Sequence, residues 1–225
     1  MKYRHEIKYT INSKHANYLM RQLSLVLTKD QNKFNEDGSY LIKSLYFDTM
    51  DNKLYLEKLD GILYRKKYRI RIYNNDDTFI RLEKKMKHNN MTAKKQTLIN
   101  RQDYDKILKG NIRDINTKEP LFLEFINEMK NNNLLPSIIV SYHRMAFTYP
   151  LSDVRITFDY HIQSGLYNYE LFDTSKPNFD ILNEKYCVLE VKYNEFLPTF
   201  IENILQSIPL QREAVSKFAR CRSIK

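Results

Sequence analysis

A chain of 225 residues, 42% of them hydrophobic, can bury a sizeable core, and only 4 glycines and 6 prolines exclude collagen-like, linker-rich and low-complexity chains. The formal charge of +10 points to anionic partners: nucleic acid, an acidic membrane surface or a phosphorylated small molecule. A generally basic, solvated surface is the bland alternative, and only the placement of the charges separates the two.

In chain order, Lys2 to Ile11 alternates polar and apolar residues and predicts a strand. Ser13 is read as the cap of a helix with apolar positions Ala16, Leu19, Met20, Leu23 and Leu27. A polar loop around Asp37-Gly38 precedes a strand over Tyr40 to Phe47. A short helix then starts at Asp48 or Thr49 and ends near Gly61. Tyr64 to Tyr73 and Phe79 to Lys87 form two strands joined by the turn Asn74-Asn75-Asp76-Asp77. His88 to Lys95 is expected to be a loop, leading to a short strand and a helix over Asn100 to Leu108 closed by Gly110. Pro120 suits the first position of a helix carrying Leu121, Phe122, Phe125, Ile126 and Met129. Strands are expected at Ser137 to Tyr149, Val154 to Ile162 and Tyr186 to Tyr193, with an irregular arm between the last two. Helices from about Pro198 to Ile208 and from about Leu210 to Arg222 finish the chain. No repeat and no composition break appears, so residues 1–225 are expected to form one domain.

Cys187 and Cys221 are isolated, with neither a disulfide framework nor zinc spacing, and no apolar run follows Met1. No apolar stretch approaches the roughly 20 residues that cross a bilayer. A cytoplasmic protein is expected, although a surface this basic also allows peripheral contact with acidic membrane. Stacking-aromatic and recognition motifs for nucleic acid are absent, so no specific nucleic-acid partner is expected.

Alternate residues of a strand share a face. Arg65, Lys67, Arg69 and Arg71 therefore line one wall, opposite Tyr64, Tyr68, Ile70 and Ile72, with Lys66 the one exception on that apolar face. Arg81, Glu83, Lys85 and Lys87 repeat the pattern, as do Arg4, Glu6 and Lys8. Tyr142 with Arg144, Arg155 with Thr157 and Asp159, and Glu190 with Lys192 extend it to six strands. A water-facing sheet surface explains any one strand. It explains six poorly, because arginine at interior strand positions suits bidentate phosphate contacts. Uncompensated buried cations cost several kcal/mol each. An anionic ligand offsets that, since a pair at about 4 Å is worth roughly 4 kcal/mol at intermediate dielectric. The interleaved acids can orient the cations, or one or two of them can hold a divalent cation against phosphate oxygens. The five histidines show no metal-ligand spacing.

The segments RHEIKY (4–9), SLYFDT (44–49), RKKYRIRIY (65–73), LEKKMK (82–87), YHRMAF (142–147), VRITFD (154–159), VLEVKY (188–193) and SKFARC (216–221), in this order, resemble the VTC domain. This is the polyphosphate polymerase module of the vacuolar transporter chaperone complex, one of the CYTH-like triphosphate tunnel metalloenzymes. The resemblance implies an α+β fold: a closed eight-stranded antiparallel β tunnel with helices packed outside. It also implies transfer of the γ-phosphate of ATP to a growing polyphosphate chain with Mn2+ or Mg2+. Lys8, Arg69, Arg71 and Lys85 fall where the family binds nucleotide phosphates, Arg144 and Arg155 where it completes the cradle, and Glu190 where it ligates metal. The implied catalytic set is Arg69, Arg71, Lys85, Arg144 and Arg155. Lys217 falls near the tunnel mouth, and Lys87, Lys94, Lys95 and Lys192 are further expected phosphate contacts. The eukaryotic members carry additional domains and membrane helices that this sequence lacks.

Phosphoryl transfer needs positioning and charge neutralisation, and no protein nucleophile. No Gly-rich phosphate loop is present. The same site would also serve an inorganic or nucleoside triphosphatase, or a non-catalytic polyphosphate or nucleotide sensor; ATP, polyphosphate and tripolyphosphate are the expected ligands. Replacing Arg69 and Arg71 together by Ala is expected to abolish triphosphate binding with the fold intact.

Overall fold

A computed structural model describes residues 3–30, 38–89, 91–166, 168–176 and 178–223; the turn expected at 37 and the chain ends lie outside them. β1 (Arg4–Asn12) leads directly into α1 (Ser13–Ser24). Asn12, rather than Ser13, is the cap: its Oδ1 accepts from the His15 amide at 2.8 Å. α1 stops before Leu27, whose amide still donates to the Leu23 carbonyl at 2.8 Å and whose side chain stays in the core. A two-residue β2 (Thr28–Lys29) follows, then β3 (Tyr40–Asp48). The next helix, α2 (Lys53–Leu59), begins later than expected. Asp48 ends β3 and caps α2 from outside, its carboxylate accepting from the amides of Leu54 at 2.8 Å and Tyr55 at 3.1 Å.

β4 (Tyr64–Tyr73) and β5 (Ile80–His88) are joined by the expected turn, with Asn74 and Asn75 at φ 48° and 58°. The stretch expected to be a loop is mostly β6 (Met91–Ile99), nine residues long. Its sequence does not alternate, but β5 supplies a full ladder from His88↔Met91 to Ile80↔Ile99. α3 (Arg101–Leu108) and α4 (Pro120–Asn131, with Pro120 at its start) match their patterns. β7 (Leu135–Tyr149), β8 (Val154–Gly165), a two-residue β9 (Phe179–Asp180) and β10 (Tyr186–Tyr193) complete the strands. α5 (Thr199–Gln206) is followed by an extended strap, and the last helix, α6 (Lys217–Arg222), is half its expected length. The strap runs along β1: the Glu213 amide donates to the Lys8 carbonyl at 2.9 Å, and Arg212 bridges to Tyr9.

Antiparallel pairing runs β7-β3-β4-β5-β6-β1-β10-β8 and returns from β8 to β7, closing eight strands into a ring; β2 and β9 add to the outside of β7 and β8. Closure pairs each of the eight strands on both sides along at least part of its length. The weakest seam is β1–β6, with Arg4↔Thr92 and His5↔Met91 the only pairs in register among the described residues.

Two apolar layers cover the ring. One packs Ile70, Ile72, Ile80 and Leu82 against Tyr104 of α3 and Phe122 and Phe125 of α4. The other packs Ile156, Phe158, Leu189 and Val191 against Leu19 and Leu23 of α1 and Ile201 and Leu205 of α5. A third cluster lies within the ring: Ile42, Tyr46, Val140, Tyr142 and Val188 meet Val215, Phe218 and Cys221 from the strap and α6. The interior is therefore divided between an apolar plug around α6 and a polar, charged remainder. No helix among the described residues is long and apolar enough to cross a membrane.

Candidate phosphate-binding tunnel

Ladder partners face the same side, so the register carries the charge pattern around the ring. Glu6 opposes Lys192 and Lys8 opposes Glu190; Lys67 opposes Lys85 and Arg69 opposes Glu83; Lys85 opposes Lys94; Tyr40 opposes Arg144. The result is a wall of cations around two joined cavities of about 420 and 550 Å³. They meet at Glu6, Arg69, Arg71, Lys85, Arg144 and Lys192. The smaller opens beside α6 and the strap, the larger beside the β4–β5 turn.

At the centre, each cation has a carboxylate or hydroxyl to aim it. Arg69 donates to Glu83 at 2.6 Å and to the Tyr46 hydroxyl at 2.8 Å. Arg71 donates to Ser44 Oγ at 3.0 Å and to the Tyr142 hydroxyl at 3.1 Å. Arg144 grips Asp159 with two bonds, 2.6 and 2.8 Å, and reaches Glu190 at 3.6 Å. Lys85 spans both Glu6 oxygens at 2.7 and 2.9 Å. Lys8 meets Glu6 at 2.9 Å and Glu190 at 3.9 Å, and its Nζ donates to the Val215 carbonyl at 3.2 Å. Lys192 pairs with Glu190 at 3.0 Å, and Lys217 with Asp159 at 2.5 Å.

Burial pushes all four carboxyls up, yet their cations win. Arg69, Arg71 and Lys94 hold Glu83 well below the usual range; Lys192, Lys8, Lys85 and Lys217 do so for Glu190. Glu6 and Asp159 are lowered in the same way. All four stay ionised at neutral pH, which fixes the cation geometry before a ligand arrives.

The expected residues do not all share one place. Lys8, Arg69, Arg71, Lys85, Arg144, Lys192 and Glu190 surround the centre. Lys217 and Lys87 line the α6-side cavity. Arg155 stands at the other opening, ion-paired with Asp30 and donating to the Tyr40 hydroxyl at 3.1 Å. Lys94 reaches Glu83 at 3.0 Å and lines the turn-side cavity. Lys95 does not join them: it is exposed and opposes Lys84 on the outer face. One position of parity separates the two lysines.

Four cations unassigned on sequence also line the α6-side cavity: Lys58, Arg65, Lys67 and, from the strap, Arg212. Arg65 and Lys67 belong to the alternating β4 face and were legible there. Lys58 sits on α2, where strand parity gives no signal. Burial, followed by repulsion from Arg65, Lys85, Lys58 and Lys8, pushes Lys67 down to about 7. Lys67 Nζ rests 4.4 Å from the Phe218 ring centroid.

The VTC domain profile matches residues 3–224. The chain belongs to the VTC domain family. No significant match is found among curated proteins. Among solved structures, a Hippeastrum protein described as a candidate adenylyl cyclase with a dominant triphosphatase activity is similar at TM-score 0.58 and 15% identity, covering 99% of this chain and 96% of that one. The PH1819 protein of Pyrococcus horikoshii OT3 is similar at TM-score 0.50 and 12% identity, covering 96% of each chain. At these identities the likeness speaks for the fold, and the fold is the triphosphate tunnel expected from the sequence.

A divalent cation is implied by this fold family. Among the described residues no three His, Cys, Asp or Glu side chains gather to hold a metal. Glu6 and Glu190 are diagonal neighbours across the β1–β10 ladder, close enough that Glu190 raises the proton affinity of Glu6. Two hard carboxylates fit magnesium or manganese, which commonly take one or two protein oxygens and complete their shell with phosphate and water.

Proposed function

We propose that this VTC domain is a metal-dependent phosphotransferase that moves the γ-phosphate of ATP to a growing polyphosphate chain inside the tunnel. The observation that supports chain growth is the α6-side run of Lys58, Arg65, Lys67 and Lys87. None of these four is ion-paired among the described residues, and burial lowers the pKa of each, with repulsion from neighbouring cations adding to it at Lys58, Lys67 and Lys87. A bound triphosphate satisfies the central cations; a longer chain is needed to satisfy these as well.

In this reading Arg69, Arg71, Lys85 and Arg144 clamp the β- and γ-phosphates, with Lys8 and Lys192 alongside. The terminal oxygen of the acceptor chain attacks the γ-phosphorus, a new P–O bond forms, and the bond from that phosphorus to the β–γ bridging oxygen breaks. ADP leaves with the electron pair. The fixed guanidiniums stabilise the charge that spreads over the equatorial oxygens, without reorganising during the step. Magnesium or manganese, held by Glu190 with Glu6, would supply further charge neutralisation between phosphates.

A triphosphatase is the second reading, favoured by the likeness to the Hippeastrum protein. Water then replaces the acceptor at the same centre. Incubation with ATP and manganese, followed by product analysis, separates the readings. Long polyphosphate supports the polymerase, free phosphate alone supports the triphosphatase, and binding without ADP release supports a sensor. Nucleic acid bound to the outer surface would not be displaced by tripolyphosphate.

A further inference from the structure

The two cavities end differently. The α6-side end gathers Lys58, Arg65, Lys67 and Lys87, which have no ion pair among the described residues, whereas the turn-side end is walled by flat groups. Tyr40, Tyr73, Phe79 and Arg81 all line it. Ring centroids of Tyr40 and Tyr73 are 6.1 Å apart, and those of Tyr73 and Phe79 are 6.3 Å apart. The Arg81 guanidinium carbon stands 4.4 Å from the Phe79 centroid and 5.4 Å from that of Tyr73. Arginines also tether the tyrosine tips: Arg155 donates to the Tyr40 hydroxyl at 3.1 Å and Arg81 to that of Tyr73 at 3.4 Å.

Core packing accounts for Tyr40 and Tyr73, which belong to the cluster around α6 or pack against it, but not for the rest of this wall. Phe79 is only half-buried and belongs to none of the three apolar clusters. Inorganic phosphate has no use for aromatic faces, because its recognition is electrostatic. A nucleobase does: bases stack on aromatic rings and on guanidinium planes. At about 550 Å³ the cavity has room for a nucleoside, and it is continuous with Arg69, Arg71 and Arg144.

We propose that Tyr73, Phe79 and Arg81 form the nucleobase subsite, so that ATP enters from the β4–β5 turn with its triphosphate directed inward. This rests on the triphosphate-binding reading above. It gives the tunnel a direction, with the nucleoside at the turn end and the phosphate chain extending toward α6.

The test compares ATP and inorganic tripolyphosphate by titration calorimetry on the whole chain, as wild type, Phe79→Ala, Phe79→Leu and Arg81→Lys. Phe79→Leu keeps bulk without a π face, and Arg81→Lys keeps charge without a plane. Each variant is expected to weaken ATP by roughly tenfold, the value of one lost stack, while tripolyphosphate stays within about twofold of wild type. An ATP-to-tripolyphosphate affinity ratio that is unchanged in all variants overturns the nucleobase subsite and leaves the tunnel reading standing. Wild type that binds neither ligand overturns both.

Discussion

The centre of the tunnel and its α6-side end use the same residue types for different physical work. At the centre, Arg69, Arg144, Lys85 and Lys192 each have a buried carboxylate, respectively Glu83, Asp159, Glu6 and Glu190. That neutralises the wall in advance and fixes each cation's direction. At the α6 end, Lys58, Arg65, Lys67 and Lys87 have no ion pair among the described residues, and Lys67 is pushed down to about 7. A carboxylate makes a cation into a positioned tool. Its absence makes the cation a standing demand for an anion. Losing a central cation should therefore strand an acid, whereas losing an outer one should relieve repulsion.

The largest effect is expected from Arg69→Ala with Arg71→Ala. Tripolyphosphate affinity should fall by about 1000-fold, since two charge-assisted contacts are lost. Stability should also fall, by roughly 3–5 kcal/mol, because the fully buried Glu83 keeps only Lys94. The expectation of an intact fold, drawn from the sequence, overlooked that acid. Adding Glu83→Gln should recover stability in chemical denaturation without restoring affinity.

Glu190→Gln comes next. Metal-dependent turnover should drop by on the order of 100-fold while tripolyphosphate binding without metal persists. Turnover that is unaffected would remove Glu190 from the metal reading.

Lys67→Met inverts the sign. Affinity for long polyphosphate should weaken by about tenfold with tripolyphosphate little changed, and stability should rise by roughly 1–2 kcal/mol as a half-buried cation with no ion pair among the described residues disappears. The pH dependence follows from the same residue. Lys67 has a folded pKa of about 7, below the ordinary lysine value, so between pH 7 and 10 the unfolded chain holds a proton that the folded chain does not. Wild-type stability should rise with pH across that window. Lys67→Met should flatten the rise in part, and Lys192, also pushed to about 7 chiefly by burial, should account for the remainder. Denaturation midpoints at successive pH values check both statements.

The smallest effect compares adjacent lysines. Lys94→Ala should reduce triphosphate affinity by about threefold to tenfold through the lost contact and the freed Glu83. Lys95→Ala should change it by less than about twofold, as for exposed charges on an outer face.

The sequence displayed the cationic wall because strand parity is local: Arg65, Lys67, Arg69 and Arg71 can only point one way together. What it hid was set by tertiary contact. β6 has no alternation of its own, and the β5 ladder makes it a strand. Lys58 joins the tunnel from a helix. The strap over 210–216 carries apolar Leu210 and Val215 and reads as helix, but the backbone of β1 holds it extended, with Thr10 Oγ1 donating to Glu213 at 2.8 Å. The apolar plug around Phe218 depends on inward-facing Ile42, Val140 and Val188, which on sequence alone resemble ordinary core residues.

A crystal structure with long-chain polyphosphate tests the central claim most directly. Phosphate density should begin among Arg69, Arg71 and Arg144 and continue past Lys67 to the α6-side opening. Polyphosphate lying on the outer surface, with the interior ion pairs undisturbed around an empty tunnel, would contradict the account.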